Sequence, residues 1–128
     1  MQLAVEYAFT GLPVKDRNRS MVWYERLLGR PPTFVPNDIE AVWQLAATAS
    51  LYVIVDEQRA GGGIVTLVVG DLRQTLADLK ARGIDMGGVE EVGGAGFKAT
   101  TRDPDGNVVA LVEIAGTPGD ESPSDTPE

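Results

Sequence analysis

An internal repeat limits the possible folds of this chain more than any other feature of its sequence. Residues 9–16 read FTGLPVKD and residues 64–71 read IVTLVVGD, so Leu12, Val14 and Asp16 recur 55 positions later. Each block has the length and composition of a β-strand. Because half of a 128-residue chain is too short to bury much of a core alone, we expect the two copies to fold together as one domain.

Each repeated block ends in an Asp that is followed by a helical pattern. Asp16 and Asp71 stand where an N-cap carboxylate accepts a first-turn N–H group. After them, residues 17–28 and 72–82 place apolar side chains at three- and four-residue spacing. Gly29 and Gly83 are in the usual position for ending a helix. The sequence therefore predicts one amphipathic helix after each repeated strand.

Short strand patterns follow each predicted helix, at 32–36, 40–46 and 50–56 in the first half and near 84–91, 96–102 and 107–114 in the second. The DPDG sequence at 103–106 predicts a tight turn between the last two strands. We therefore expect a single domain over 1–114, made of two modules at about 1–58 and 63–114. The acidic segment 115–128 is expected to be a disordered tail.

Composition excludes several kinds of function. The chain has no His and no Cys, so the commonest general base, thiolate nucleophiles and sulfur-ligated metals are all excluded. The net charge is −8 with no basic stripe, which argues against nucleic acid and anionic membranes as partners. The N-terminus lacks the basic start and apolar run of a signal peptide, which indicates a cytoplasmic protein.

Three segments carry a resemblance to a known superfamily: Val14–Gly29 (VKD-x₄-MVWYERLLG), Val69–Gly83 (VGD-x₄-LADLKARG) and Asp103–Glu113 (DPDGNVVALVE). Together they resemble the vicinal oxygen chelate superfamily, which includes glyoxalase I, fosfomycin-resistance enzymes, extradiol dioxygenases and bleomycin-resistance proteins. The resemblance implies an α+β fold of two tandem βαβββ modules whose curled mixed sheets surround a central cavity. It also implies a homodimer.

The same resemblance indicates where metal-dependent members hold their metal. The first of those positions lies seven residues before Asp16, and the second lies seven residues before Asp71. The third lies three residues after the Asn of the DPDGN turn. They are occupied here by Phe9, Ile64 and Ala110, none of which can coordinate a metal. A fourth position falls in the apolar strand 51–55. We therefore expect no metal and no cofactor.

Strand alternation gives a set of candidate ligand contacts. If Leu12 and Val14 lie beneath the first helix, the neighbouring side chains face the cavity. The orientations of Trp43 and Tyr52 remain open, and so does the choice between Thr100 and Thr101, of which Thr100 is preferred. The candidate pocket residues are Tyr7, Phe9, Gly11, Trp43, Tyr52, Ile64, Thr66, Thr100 and Ala110. Tyr7 is the one candidate acid or base among them.

The sequence thus favours a metal-free protein that sequesters an apolar or aromatic small molecule, like the bleomycin-resistance branch. The alternative is a divergent enzyme of lyase or isomerase type that acts without the usual His and Glu ligands. Metal-dependent glyoxalase or dioxygenase activity is disfavoured, since both reactions need the metal to bind or polarise substrate oxygens.

Overall fold

The computed structural model of the chain describes residues 2–94 and 96–114. By their contacts the described residues form two compact units: the first is made of residues 2–65 and 102–108, and the second of residues 66–94, 96–101 and 109–114. The segment expected to be an acidic tail, 115–128, lies outside the described residues. Neither helix of the described chain has the length and hydropathy that crossing a membrane requires.

The first unit is built on a four-stranded sheet and one helix. Its elements are β1 (Ala8–Val14), α1 (Arg17–Leu28), β2 (Phe34–Asn37), β3 (Glu40–Ala46) and β4 (Ala49–Val55). The strand order is β1-β4-β3-β2, in which β1 and β4 are parallel and the other pairs antiparallel. Strand β2 begins two residues later than the 32–36 pattern predicts.

The second sheet repeats this plan. Its elements are β5 (Ile64–Val68), α2 (Leu72–Ala81), β6 (Glu90–Val92), β7 (Gly96–Arg102) and β8 (Val108–Ile114), in the strand order β5-β8-β7-β6. The prediction of an α+β fold from two βαβββ modules is therefore confirmed. The weak pattern near 84–91 yields a strand only from Glu90 onward, and Ile84 is buried in the connection after α2.

The helix ends are formed by the residues that the repeat singles out. The Asp16 carboxylate accepts the Arg19 N–H at 3.1 Å, and Asp71 accepts the Gln74 N–H at the same distance. Gly29 ends α1 with φ 79°, and Gly83 has φ 83° after α2. These left-handed conformations favour glycine, since a Cβ is strained there.

The core of the first unit lies between α1 and one face of its sheet. Tyr24 and Leu27 of the helix are buried, as are Leu12 and Val14 of β1, and the helix contacts strands β4 and β3. The third buried residue of this helix face is Ser20, whose side chain is fully buried and whose hydroxyl has no hydrogen-bond partner in the described part of the chain. The helical spacing in the sequence places Met21, Tyr24 and Leu28 on one face; of these Tyr24 is buried, whereas Met21 and Leu28 are only half-buried.

The DPDG turn belongs to the first unit and is held there by polar contacts, some of which are buried. Asp103 accepts the Tyr24 hydroxyl at 2.8 Å and three backbone N–H groups of the turn itself. Asp105 accepts from Arg19 at 2.6 Å, and Asn107 donates to the Pro13 carbonyl at 2.8 Å. These contacts give the turn's polar residues a role in stability.

Candidate functional site

The face of the first sheet that points away from α1 carries an exposed group of aromatic side chains. In the parallel pairing of β1 with β4, Phe9 lies beside Ser50 and Gly11 lies beside Tyr52. Paired residues on neighbouring strands share a face of the sheet. We call Tyr7, Phe9, Gly11 and Tyr52 together the aromatic surface.

Ring contacts join the three aromatic members of this surface. The Tyr7 and Phe9 ring centroids are 4.9 Å apart, and those of Phe9 and Tyr52 are 6.3 Å apart with an edge-on angle of 70°. Tyr7 and Tyr52 are half-buried, whereas Phe9 is 59% exposed. A large apolar ring left this accessible beside two others provides stacking area for a ligand.

Two further residues on this face are missing from the sequence-based set. Ser50 forms a 2.5 Å hydrogen bond with the Tyr7 hydroxyl, and Phe34 of β2 pairs with Val42, which in turn pairs with Tyr52. Phe34 is 52% exposed. Their position depends on how β2, β3 and β4 are aligned with one another, and the repeat carries no signal for that alignment.

Trp43, whose orientation the sequence left open, lies in the core of the first unit and not on the aromatic surface. It pairs with Leu51, on the face of the sheet that α1 covers. Its side chain has no exposed area, its ring centroid lies 5.9 Å from that of Tyr24, and its indole N–H donates to the Arg30 carbonyl at 3.1 Å. Trp43 is therefore a core residue of the first unit.

The remaining candidates lie on β5, β7 and β8. Ile64 is 70% exposed and Thr66 is also exposed, while Val65 between them is buried. Thr100 is half-buried. Ala110 is only 5% exposed, so other atoms already cover it. Their participation in a ligand site remains a prediction.

The hydroxyl of the neighbouring Thr101 already has a hydrogen-bond partner within the second unit. This hydroxyl donates to the Asp85 carbonyl, after α2, at 2.9 Å. Ala99, two residues earlier on the same face of β7, is fully buried. This arrangement leaves Thr100 as the threonine on the other face.

The residues at the superfamily's metal positions do not fit a metal. These positions hold Phe9, Ile64 and Ala110. Their side chains are hydrocarbons, which offer no lone pair to a metal ion. Within the described ranges, no group of three or more Asp or Glu side chains is arranged to hold one either. No reaction step through a metal follows from this donor set.

Acid–base chemistry has little support in the first unit. Tyr7 hydrogen-bonds to the neutral hydroxyl of Ser50, and no carboxylate among the described residues forms a hydrogen bond with it. Tyr24 does contact one, that of Asp103, but burial and this neighbouring charge raise the pKa of Tyr24 well above its ordinary value. Tyr24 therefore stays protonated and acts as a buried hydrogen-bond donor.

The two βαβββ modules have the fold of the vicinal oxygen chelate superfamily. The glyoxalase/bleomycin resistance protein from Catenulispora acidiphila DSM 44928 is 36% identical to this chain, with a TM-score of 0.80, over 88% of this chain and 100% of that one. The chain therefore belongs to the glyoxalase/bleomycin-resistance protein family. Its sequence matches no protein-family model and no curated protein.

More distant solved structures share the fold. A bleomycin-binding protein complexed with bleomycin is 22% identical with a TM-score of 0.72, over 87% of this chain and 100% of that chain. TnmS3, an antibiotic binding protein from Streptomyces sp. CB03234, is 21% identical with a TM-score of 0.70, over 89% and 98%. At these identities the likeness concerns the fold alone.

Proposed function

We propose that this chain is a metal-free small-molecule-binding protein that sequesters an apolar or aromatic ligand on the aromatic surface. The observation that carries the proposal is the exposure of Phe9, which is 59% accessible while its ring contacts Tyr7 and Tyr52. Phe9 also stands where metal-dependent members of the superfamily use a ligating His. An apolar ring replaces the metal ligand at that point.

The energetics of this surface favour an aromatic ligand. Covering an exposed phenyl ring removes apolar area from water at roughly 25 cal/mol per Å², and an offset or edge-on ring pair adds about 0.5–1.5 kcal/mol beyond that area. The chain's net charge of −8 attracts ligands that also carry positive charge. The bleomycin-binding and antibiotic-binding proteins of the same fold support a role in sequestration.

The test is the binding of Nile red, an uncharged planar dye whose fluorescence rises in apolar surroundings. We expect saturable binding to the wild type that EDTA does not change. Phe9→Ala should weaken binding by about tenfold or more, because the ligand loses both ring contact and buried area. Val22→Ala is the matched control, since Val22 of α1 is 58% exposed and lies in the same unit.

Equal binding by wild type and Phe9→Ala contradicts the proposed location of the ligand. Equal losses in Phe9→Ala and Val22→Ala indicate nonspecific adsorption of the dye to exposed apolar side chains. Loss of binding on treatment with EDTA contradicts the metal-free mechanism.

A further inference from the structure

Gly11 lies directly beneath the ring of Tyr52. A Cβ built on Gly11 would be 2.5 Å from the Tyr52 Cζ atom and 2.6 Å from its hydroxyl oxygen. Real side chains do not approach this closely. The phenol end of Tyr52 therefore occupies the space that any other residue at position 11 would fill, and the ring extends from β4 across β1.

The backbone itself does not require glycine at this position. Gly11 lies within strand β1, and its φ is outside the left-handed range in which L side chains are strained. The atoms in the way belong to the tip of a rotatable side chain. Gly61 is different, because its φ is +87° and an added Cβ would be 2.2 Å from the backbone oxygen of Asp105. An alanine at position 11 is thus accommodated by moving the Tyr52 ring.

The position of this ring matters because its hydroxyl is available to a ligand. Tyr52 is half-buried, and no residue in the described ranges forms a hydrogen bond with its hydroxyl. The ring also meets Phe9 edge-on at 6.3 Å. A stacking area and a free hydroxyl donor are therefore adjacent on the aromatic surface, and Gly11 provides the space that lets them be adjacent.

We propose that Gly11 is a specificity-determining positioning residue. Because it has no side chain, the Tyr52 phenol lies over β1, and the aromatic surface then selects planar aromatic ligands with a hydrogen-bond acceptor at their edge. This inference rests on the proposed binding function and names its ligand class. The ring face supplies the stacking contact, and the Tyr52 hydroxyl donates to the acceptor. Moving the ring disturbs both contacts at once.

Nile red carries a ring carbonyl oxygen and therefore tests both contacts. We expect Gly11→Ala to weaken its binding by about tenfold, and Tyr52→Phe, which removes only the hydroxyl, by about fivefold. Gly88→Ala is the matched control, because a Cβ at Gly88 meets no atom within 4 Å. Gly11→Ala should keep the wild-type melting temperature, since the ring rotates and alanine restricts the unfolded chain.

The effects of Gly11→Ala and Tyr52→Ala on binding should not be additive. In a Tyr52→Ala background, Gly11→Ala should have no further effect on binding, because the ring that it displaces is absent. A further loss in that background overturns the positioning role, as does wild-type affinity in Gly11→Ala. Wild-type affinity in Tyr52→Phe overturns the assigned acceptor. Failure of the wild type to bind the dye saturably is a separate result, which overturns the proposed function itself and this ligand class with it.

Discussion

Replacing Tyr24 by Phe removes one hydroxyl from the buried contacts that hold the DPDG turn. That hydroxyl donates to Asp103 Oδ2 at 2.8 Å, and Tyr24 and Asp103 are 0% and 4% exposed. The same oxygen then keeps one donor, the Asn107 side-chain amide at 2.8 Å. A hydrogen bond to a buried charged group contributes about 1.5–3 kcal/mol. We expect Tyr24→Phe to lower the free energy of unfolding by about 2 kcal/mol and the melting temperature by about 8 °C.

The chain offers a matched control on the same helix face. Ser20 is fully buried, one helical turn before Tyr24, and its hydroxyl has no partner within the described residues. Ser20→Ala removes this unpaired buried hydroxyl and inserts a better helix former. It should leave the free energy of unfolding unchanged or raise it by up to about 1 kcal/mol. Urea unfolding of wild type, Tyr24→Phe and Ser20→Ala, followed by circular dichroism, measures both effects. Equal destabilisation by Tyr24→Phe and Ser20→Ala would refute this reasoning, because it would show that burial alone, and not the Asp103 contact, determines the loss.

Further predictions concern pH, the turn, metals and assembly. Burial raises the pKa of Tyr24, so at a pH above its ordinary pKa of 10.0 only the unfolded state ionises this side chain. The stability advantage of wild type over Tyr24→Phe should therefore stay constant below about pH 10 and shrink above it. Urea unfolding at several pH values measures this change. Asn107→Ala should cost about 3 kcal/mol in the same assay, because Asn107 is fully buried and bonds both the Gly63 N–H and the Pro13 carbonyl; wild-type stability would contradict this. Elemental analysis should find less than about 0.1 equivalent of Zn, Ni, Mn or Fe per chain, and about one equivalent would contradict the metal-free proposal. Light scattering should give a homodimer, whereas a mass near 13.6 kDa would indicate a monomer.

The fold is predictable from local sequence signals that occur in both copies of the repeat. Asp16 and Asp71 cap their helices through the same hydrogen bond, and Gly29 and Gly83 adopt the same left-handed conformation. Each of these features depends on a few neighbouring residues, so the sequence shows it directly. Agreement between the two copies then makes the order of elements predictable.

The side-chain arrangement of the site depends on strand alignment, which local patterns do not contain. Trp43 and Tyr52 are both aromatic residues in apolar strands, yet the pairing of β3 with β4 places Trp43 beneath α1 and Tyr52 on the opposite face. A shift of one residue in that pairing would place Trp43 and Tyr52 on the same face of the sheet. The close approach of Tyr52 to Gly11 likewise arises only when β1 and β4 are aligned.

The central claim is that the chain binds a small molecule through its aromatic surface, and native mass spectrometry tests it most directly. Wild type and Phe9→Ala, purified in parallel from the same cells, are compared for bound adducts, and any adduct is identified after release. We predict an apolar or aromatic molecule at one per chain on the wild type, strongly reduced on Phe9→Ala. An identical adduct at equal occupancy on both proteins, or a wild type that stays free of adducts and binds no member of an added panel of aromatic compounds, would contradict the claim.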